Sequence, residues 1–324
     1  MRPDQSSDAT RAAPRVAAVI VTHNRRELLL ESLAAVRAQT RPPDLVVVID
    51  NASADGSAAA VRERFADVQL VRLPENYGGA GGFACGMSAA LAGGADWLWL
   101  MDDDTVPEPG ALPALLAAVA RYSGRQPSLL ASRVVWTDGR DHPMNTPRPW
   151  RFAGRKGRQA AAAVGCLPVR SASFVSLLVR AADCRVAGLP RADFFLWNDD
   201  FDFTTRLLRG RIGLACPASV VVHKTAVFGG TETATGDRFY YEVRNKIWTF
   251  RSDGLAVPER LLFAASTLRR WLRTYAGSAD RGALRSALRR GIIAGITTAP
   301  RPNEQVLGSG DPGSAVLFAD TERT

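Results

Sequence analysis

The stretch WLWLMDDDT (97–105) runs five apolar residues directly into three carboxylates. The apolar half predicts a buried strand. Side chains two positions apart in a strand face the same side, so we expect Asp102 and Asp104 in one pocket and Asp103 turned away from it. Two carboxylates in one pocket stay ionised only beside a cation, and oxygen ligands favour Mg²⁺ or Mn²⁺. The alternative is the cap of a helix, because two prolines follow.

Around this stretch, the first hundred residues alternate strand-like and helix-like segments. Short apolar runs predict four strands, at 15–22, 45–50, 68–73 and 96–101. Apolar residues at helical spacing predict three helices, at 27–39, 56–65 and 83–91. This alternation, with strands that are apolar throughout, predicts an α/β fold in which helices cover both faces of a mostly parallel sheet.

Polar residues follow each predicted strand. In such sheets ligands bind beyond the carboxyl ends of the strands, so these residues are candidates for a binding site. They are Thr22 and Arg25 after the first strand, Asp50 after the second, Asn76 after the third, and the three acids after the fourth.

The segment PENYGGAGGF (74–83) contains four glycines, among them Gly78 and Gly79. Glycines permit close approach of the backbone to a ligand, so we predict a loop that packs against a sugar-nucleotide. The alternative is a tight turn into the next helix. A dinucleotide fingerprint is disfavoured, because these glycines follow the third strand and not the first.

A second acidic cluster lies in LWNDDFDF (196–203). Carboxylates among aromatic side chains can hold a sugar and take a proton from its hydroxyl group, which makes Asp199, Asp200 and Asp202 candidates for a general base. The alternative is the exposed first turn of a helix, where aspartate is favoured.

His223 ends the apolar run of SVVVHK (219–224). A histidine at the end of a strand is more often structural than a ligand. The carboxylates Asp102 and Asp104 make it a candidate metal ligand here.

The composition indicates a globular chain. It has 324 residues, of which 46% are hydrophobic, and a formal net charge of +9. No apolar run approaches the roughly 20 residues of a membrane-spanning helix. The four cysteines are scattered without a CxxC pair, which argues against a zinc site or disulfides and favours a reducing cytosol.

The positive charge concentrates near the C-terminus. Between 258 and 300 there are eight arginines and two acidic residues. Such a run indicates either a surface for anionic lipid headgroups or a solvated helix face. Residues 239–300 are predicted to be mostly helical, and the segment 138–165, rich in Pro, Gly and basic residues, is predicted to be a long loop.

Six motifs in order resemble family 2 glycosyltransferases of the GT-A (Rossmann-like) fold: VTHNR, VVIDNAS, ENYGGAGGF, WLMDDDT, WNDDFDF and VVHK. The glycine-rich motif followed by three aspartates is most similar to actinobacterial galactofuranosyltransferases. Related rhamnosyltransferases share much of the pattern, including a motif similar to YYEVRN (240–245).

The resemblance implies inverting, metal-dependent transfer of a sugar from a nucleoside diphosphate. By motif position, the nucleotide-sugar would be contacted by Thr22, Arg25, Asp50, Asn76, Gly78, Gly79, Asp102 and Asp103. Mn²⁺ or Mg²⁺ would be held by Asp102, Asp104 and His223. Asp200 would be the general base and Asp199 its neighbour. The tryptophan of that motif is shifted by one residue, to Trp197, which leaves the base open among Asp199, Asp200 and Asp202.

The expected donor is UDP-galactofuranose, with dTDP-L-rhamnose as the alternative, and the acceptor is a glycan or a polyprenyl-diphosphate-linked glycan of the cell envelope. A cytoplasmic protein is expected, with a peripheral position at the inner face of the cell membrane as a further option, and the sequence is compatible with an oligomer. The alternatives are a nucleotidyltransferase and a non-catalytic module that binds polyanions or membranes. Acids clustered at the sheet ends argue against a nucleic-acid partner.

The implied domain organisation has four parts. They are a disordered leader (1–14), a GT-A catalytic domain (15–250, with a nucleotide-sugar half at 15–105 and an acceptor half at 106–250), a basic helical region (251–300) and a disordered tail (301–324).

Overall fold

The computed structural model describes residues 13–228 and 237–308. The strands are β1 (Val16–Thr22), β2 (Leu45–Asp50), β3 (Gln69–Arg72), β4 (Trp97–Asp102), β5 (Thr105–Pro107), β6 (Leu129–Val135), β7 (Arg148–Pro149), β8 (Leu167–Ser171), β9 (Leu177–Arg180) and β10 (Gly213–His223). The helices are α1 (Arg26–Arg37), α2 (Ser57–Arg64), α3 (Gly78–Ala92), α4 (Ala111–Arg121), α5 (Arg155–Ala163), α6 (Ala181–Ala187), α7 (Asp199–Leu207), α8 (Asp237–Arg251), α9 (Val257–Gly277), α10 (Arg281–Thr297) and α11 (Asn303–Leu307), with a 3₁₀ turn at Ala192–Phe194.

The described strands form one sheet, in the order β3-β2-β1-β4-β9-β6-β10-β8-β7, with β5 paired to β10. The first four strands are parallel, and each matches its predicted bounds to within one residue. The other half is mixed, because β9 runs antiparallel between β4 and β6. The expectation of a mostly parallel α/β sheet flanked by helices is confirmed.

Strand β1 shows how the sheet buries both faces. Its side chains alternate: Ile20 and its even-numbered neighbours join a core under α1 and α4, while Val19 and its odd-numbered neighbours join a second core under α3. All seven residues of β1 are buried. A strand covered on both sides has no polar face, which is why its sequence is apolar without alternation.

The glycine-rich segment differs from its prediction. It was expected to be a loop up to Phe83, but α3 already begins at Gly78. The glycines let this helix pack directly on the sheet, because a Cβ atom at Gly82 would overlap the side chain of Val21, and one at Gly86 that of Val19. Close helix–sheet packing outweighs the poor helix propensity of glycine here.

The second half of the chain is also more regular than expected. The predicted loop 138–165 contains β7 and α5, and the predicted strand 219–224 is the end of the longer β10. The two extra elements are held by neighbouring structure, since β7 pairs with β8, and α5 packs beside β8. The predicted helical region 239–300 consists of α8, α9 and α10.

The predicted leader lies, apart from its last two residues, outside the described residues, and so does the predicted tail beyond 308. The start of that tail is structured. Arg301 pairs with Asp193 at 2.7 Å, and α11 follows it. No helix in the described ranges is long and apolar enough to cross a membrane.

The packing of α3 on the sheet can be tested at Gly86, which lies away from the polar strand ends. Gly86→Ala is expected to lower the free energy of unfolding by about 1–3 kcal/mol, because the added methyl group overlaps Val19 and crowds Ile49. Gly157→Ala, in α5 where the methyl group meets nothing, is expected to raise it by about 0.5–1 kcal/mol. Urea denaturation measures both values. Equal effects of the two substitutions would contradict this packing.

Candidate active site

The chain reversal after β4 brings His223 to the acidic cluster. Strand β5 pairs antiparallel with the end of β10, so that Thr105 lies opposite His223. The backbone N–H of Lys224 donates to the carbonyl oxygen of Asp104 at 2.9 Å. As a result, one ligand atom each from Asp102, Asp104 and His223 lies within 4.8 Å of the others. The structure thus brings together the three residues that were expected to hold a metal.

The donor set fits a divalent cation. Nε2 of His223 lies 3.0 Å from Oδ1 of Asp104. Apart from this close contact with the imidazole, the buried oxygen has no hydrogen-bond partner in the described chain. On the other side of the ring, Nδ1 of His223 is 2.9 Å from Oδ1 of Asn145. In the tautomer that donates Nδ1–H to Asn145, Nε2 offers its lone pair towards the carboxylates, as metal-binding histidines do.

Asp103 faces away from this pocket, as expected from its position. Its carboxylate accepts hydrogen bonds from Oγ1 of Thr22 at 2.8 Å and from Nη1 of Arg25 at 3.2 Å. The same Nη1 also donates to Asp104 at 2.8 Å. Thr22 and Arg25, which were expected to contact the nucleotide, therefore contact two of the aspartates in this structure. The side chain of Arg25 stays half-exposed.

The three carboxylates differ in electrostatics. Burial and the charge of Asp104 raise the pKa of Asp102 to about 7, and burial raises the pKa of Asp103 to about 6. Against the effect of burial, the contact with His223 holds the pKa of Asp104 below its usual value. The same contact raises the pKa of His223, although burial opposes it. Full ionisation of all three acids at neutral pH therefore needs further positive charge nearby.

Asp50 lies at the end of β2 and is completely buried. Its Oδ1 accepts from the N–H of Ser53 at 2.9 Å, whereas Oδ2 has no hydrogen-bond partner among the described residues. A buried acceptor without a donor is costly, and a ligand hydroxyl or amide group can satisfy it. Asp50 thus remains a candidate for binding a nucleotide.

The predicted residues of the glycine-rich segment have different positions. Asn76 is exposed, and its Oδ1 accepts from the N–H of Gly78, the first residue of α3, at 2.8 Å. A Cβ atom at Gly78 would overlap the carbonyl oxygen of Phe195. Gly79 lines a large cavity between α3 and α7, and a Cβ atom at this position would lie 4.0 Å from Oδ2 of Asp199. The segment therefore packs against the second acidic cluster.

The second cluster occupies the first turn of α7. Asp199 and Asp200 line the cavity, and burial raises the pKa of both carboxyl groups. Asp202 is engaged elsewhere, because one carboxylate oxygen pairs with Arg206 at 2.8 Å and the other with Arg191 at 3.5 Å. These contacts remove Asp202 from the three candidates for a general base.

The loop before α7 has unusual backbone geometry. Phe195, Trp197 and Asn198 all have positive φ angles, of 60°, 66° and 63°. Such angles are strained for non-glycine residues and cost on the order of 1–3 kcal/mol each. They persist only where surrounding contacts impose them, and such strain concentrates at functional sites.

Asn245 supplies those contacts. This fully buried side chain donates from Nδ2 to the carbonyl oxygens of Phe194, Leu196 and Trp197, at 2.8, 2.9 and 2.9 Å. In addition, Nδ2 of Asn198 donates to Glu242 at 2.7 Å. Sequence reasoning assigned no role to Asn245 or Glu242. The one sequence feature that pointed to these two residues was the YYEVRN motif, which contains both and is similar to a motif of rhamnosyltransferases.

One cavity of about 1020 Å³ joins both acidic clusters. Its wall includes Asp102 and His223 at one cluster and Asp199 and Asp200 at the other. The volume is at the upper end of small-molecule sites. Residues of α8 and α9 complete the wall, among them Lys246, Arg270, Trp271 and Arg273. The basic region 251–300, predicted as separate from the catalytic domain, thus contributes directly to this cavity.

Comparison with known proteins agrees with this geometry. The model of the family "Glycosyl transferase family 2" matches residues 17–176. The galactofuranosyltransferase GlfT1 of Mycobacterium tuberculosis (strain H37Rv) is 36% identical over 200 residues, which cover 60% of this chain and 64% of that protein. The chain therefore spans just under two thirds of this relative. An N-acetylglucosaminyl-diphospho-decaprenol L-rhamnosyltransferase from the same strain is 28% identical over 246 residues, covering 67% and 78% of the two chains.

Solved structures with the same fold have low sequence identity. S. aureus TarS 1-349 in complex with UDP-GlcNAc superposes with a TM-score of 0.61 at 14% identity, covering 90% of this chain and 82% of that one. The mannosyltransferase PcManGT from Pyrobaculum calidifontis, in complex with GDP-Man and Mn²⁺, gives 0.51 at 21% identity, covering 95% and 79%. The chain therefore has the GT-A fold, and its residues 17–176 are similar to glycosyl transferase family 2.

Proposed function

We propose that this chain is an inverting, metal-dependent glycosyltransferase that moves galactofuranose from UDP-galactofuranose to a glycan or polyprenyl-diphosphate-linked acceptor. The observation that carries the proposal is one cavity with the Asp102–Asp104–His223 cluster on one side and Asp199 and Asp200 on the other. Sugar transfer needs both parts: a site for the leaving diphosphate and a base for the acceptor hydroxyl.

At the donor side, Asp102, Asp104 and His223 would hold Mn²⁺ or Mg²⁺. When bound, the ion supplies positive charge for the leaving diphosphate. Asp50 would accept a hydrogen bond from the nucleoside through Oδ2, which makes no hydrogen bond and has only an ion-pair contact with Arg72 at 3.7 Å. Gly78 and Gly79, in the first turn of α3, would line the sugar-diphosphate region, where the N–H of Gly79 remains available because that of Gly78 donates to Asn76.

At the acceptor side, Asp200 would take the proton from the attacking hydroxyl. Burial raises its pKa, while the charges of Lys246 and Arg148 oppose that rise. Asp199 lacks such neighbours, and burial together with Asp200 raises its pKa well above the usual value. Asp200 is therefore the better candidate for an ionised base. A single displacement without a covalent intermediate inverts the anomeric centre.

The alternative donor is dTDP-L-rhamnose, and it rests on the similarity to the rhamnosyltransferase. Galactofuranose is preferred because the galactofuranosyltransferase relative is more similar, at 36% against 28% identity. A non-catalytic module that binds polyanions is disfavoured, since acids and not basic residues cluster at the sheet ends.

A membrane-facing surface is part of the proposal. Helix α9 exposes Leu261, Leu268 and Leu272 by 66%, 58% and 61%, at spacings that share one helix face. The exposed Arg269 and Arg273 lie beside them. Leucines flanked by arginines suit the surface of an anionic membrane. Such a position, at the inner face of the cell membrane, would bring the cavity wall formed by α9 close to a lipid-linked acceptor.

The metal site predicts direct binding of Mn²⁺. Asp104→Asn is expected to weaken Mn²⁺ affinity at least about 10-fold, because it removes one charged ligand from the cluster. Isothermal titration of the purified protein measures the affinity. The exposed Asp253→Asn serves as the charge-matched control and is expected to bind like the wild type. Equal Mn²⁺ affinity in all three proteins would rule out the site.

The base assignment predicts a loss of turnover. Asp200→Asn is expected to lower kcat for galactofuranose transfer by about 10²–10⁴-fold, since an amide cannot accept the proton. Mn²⁺ and UDP affinities are expected to stay at the wild-type level, because Asp200 is not on the donor side. Steady-state kinetics with UDP-galactofuranose and a prenyl-diphosphate-linked glycan measure the effect. Wild-type kcat in this variant would exclude Asp200 as the base.

The hydrogen bonds from Asn245 to the strained loop, here called the clamp, predict a loss of turnover without a loss of metal binding. Asn245→Leu removes three hydrogen bonds from the 194–197 backbone, so kcat is expected to fall at least about 10-fold while Mn²⁺ affinity is kept. Thr249→Val, which removes a hydroxyl bonded to the carbonyl of Asn245 on the same helix, is the control for general damage to α8. An Asn245→Leu enzyme with the kcat of this control would show that the clamp does not position Asp199 and Asp200.

A further inference from the structure

The cavity contains a group of cations for which the proposed chemistry gives no binding role. Arg148, Lys246 and Arg270, here named the basic cluster, line the cavity on the side of Asp200. They come from β7, α8 and α9 respectively. The rings of Phe201 and Phe263 hold Arg148 beside Lys246, and burial together with Arg148 and Arg270 lowers the pKa of Lys246. Like charges held close together indicate a shared anionic partner.

Lys246 is the strongest indication. Its side chain is only 2% exposed and lines the cavity. It lies 4.1 Å from the ring of Phe201, and it makes no hydrogen bond or close ion pair with any described residue. Burial and the neighbouring arginines lower its pKa to about 7, although Glu242 and Asp200 oppose the shift. A buried ammonium group without a hydrogen-bond acceptor is costly, and an anion in the cavity would satisfy it.

Arg148 also lacks a hydrogen-bond acceptor in the described part of the chain. Its guanidinium lies over the rings of Phe201 and Phe263, at 5.0 and 5.5 Å. The contacts with these two rings fix the position of the guanidinium, but they leave its N–H groups free to bind a ligand. The fork of donors on an arginine matches two oxygens of a phosphate group.

The neighbouring acidic residues do not neutralise the positive charge of the basic cluster. Glu242 pairs with Arg270 and also accepts hydrogen bonds from Asn198 at 2.7 Å and from Trp271 at 3.2 Å. Asp200 is the proposed base. Asp280 also lines the cavity, but it caps α10 by accepting from the N–H of Ala283 at 2.9 Å. Lys246 and Arg148 therefore remain available for a ligand.

We propose that the basic cluster is the subsite that binds a phosphate group of the acceptor and so positions the acceptor hydroxyl at Asp200. This inference rests on the proposed function, because it takes Asp200 to mark the position of the acceptor hydroxyl. The glycan lies against Asp199 and Asp200, and its phosphate lies against Arg148, Lys246 and Arg270. The last of these is on α9, the helix with exposed leucines, so a lipid chain attached to the phosphate leaves along that helix.

Binding tests the cluster without any catalysis. The probes are geranyl diphosphate and inorganic pyrophosphate, titrated into the full chain in EDTA so that no metal is present. Lys246→Met and Arg148→Gln are each expected to weaken diphosphate binding by about 10–100-fold, the effect of losing one charge-assisted contact. The exposed Arg62→Gln, on α2, removes the same charge and is expected to bind like the wild type. Tighter binding of geranyl diphosphate than of pyrophosphate identifies a lipid-linked source of the phosphate.

Kinetics then place the cluster in the acceptor site. Two acceptors with the same glycan are compared, one diphosphate-linked and one an uncharged alkyl glycoside. The ratio of their kcat/KM values is expected to fall at least about 10-fold in Lys246→Met and Arg148→Gln. Both variants must keep the melting temperature of the wild type within a few degrees, and two independent substitutions guard against one misfolded variant.

The outcomes separate the two proposals. Wild-type diphosphate affinity in both variants, or an unchanged acceptor ratio, overturns the phosphate subsite even if the enzyme transfers sugar. Diphosphate binding that both variants weaken supports the subsite even if no sugar transfer is found, in which case the proposed function is wrong and not the subsite.

Discussion

The repulsion among three adjacent carboxylates at the end of β4 is the constraint on which the site depends. Each of the three acids has different contacts that determine its charge. Asp103 turns away and bonds to Thr22 and Arg25. Asp104 lies between Arg25 and His223, which hold its pKa low against burial. Asp102 is left with a raised pKa of about 7. The protein thus supplies positive charge for two of the acids, and the third, Asp102, makes the pocket suited to an added cation.

Much of this arrangement could be predicted from the sequence, because it follows from local rules. Parallel strands put their carboxyl ends at one edge, and the period of two separates Asp103 from its neighbours. The helix start at Gly78 was missed, since propensity gave no hint that glycines allow close packing on Val21. Asn245 and Lys246 were also missed as site residues. Their roles depend on α8 crossing the loop before α7, which is a contact between segments about 50 residues apart.

The cavity has opposite electrostatics at its two sides. Acids and a histidine lie at the ends of β4 and β10, where a cation is needed, whereas Arg148, Lys246 and Arg270 lie beyond Asp200, where an anion is needed. The strained loop at Phe195–Asn198 lines the same cavity and is held by Asn245. The C-terminal helices therefore do more than cover the sheet, because α8 fixes the loop and α9 completes the wall for the acceptor.

Crystallography with anomalous scattering tests the central claim most directly. Crystals grown with UDP and Mn²⁺ would be measured near the manganese absorption edge. The account predicts one strong anomalous peak bounded by Asp102, Asp104 and His223, with the diphosphate of UDP on the same ion and the nucleoside near Asp50. A bound UDP without a peak at these three residues, or a Mn²⁺ ion held elsewhere in the cavity, would contradict it.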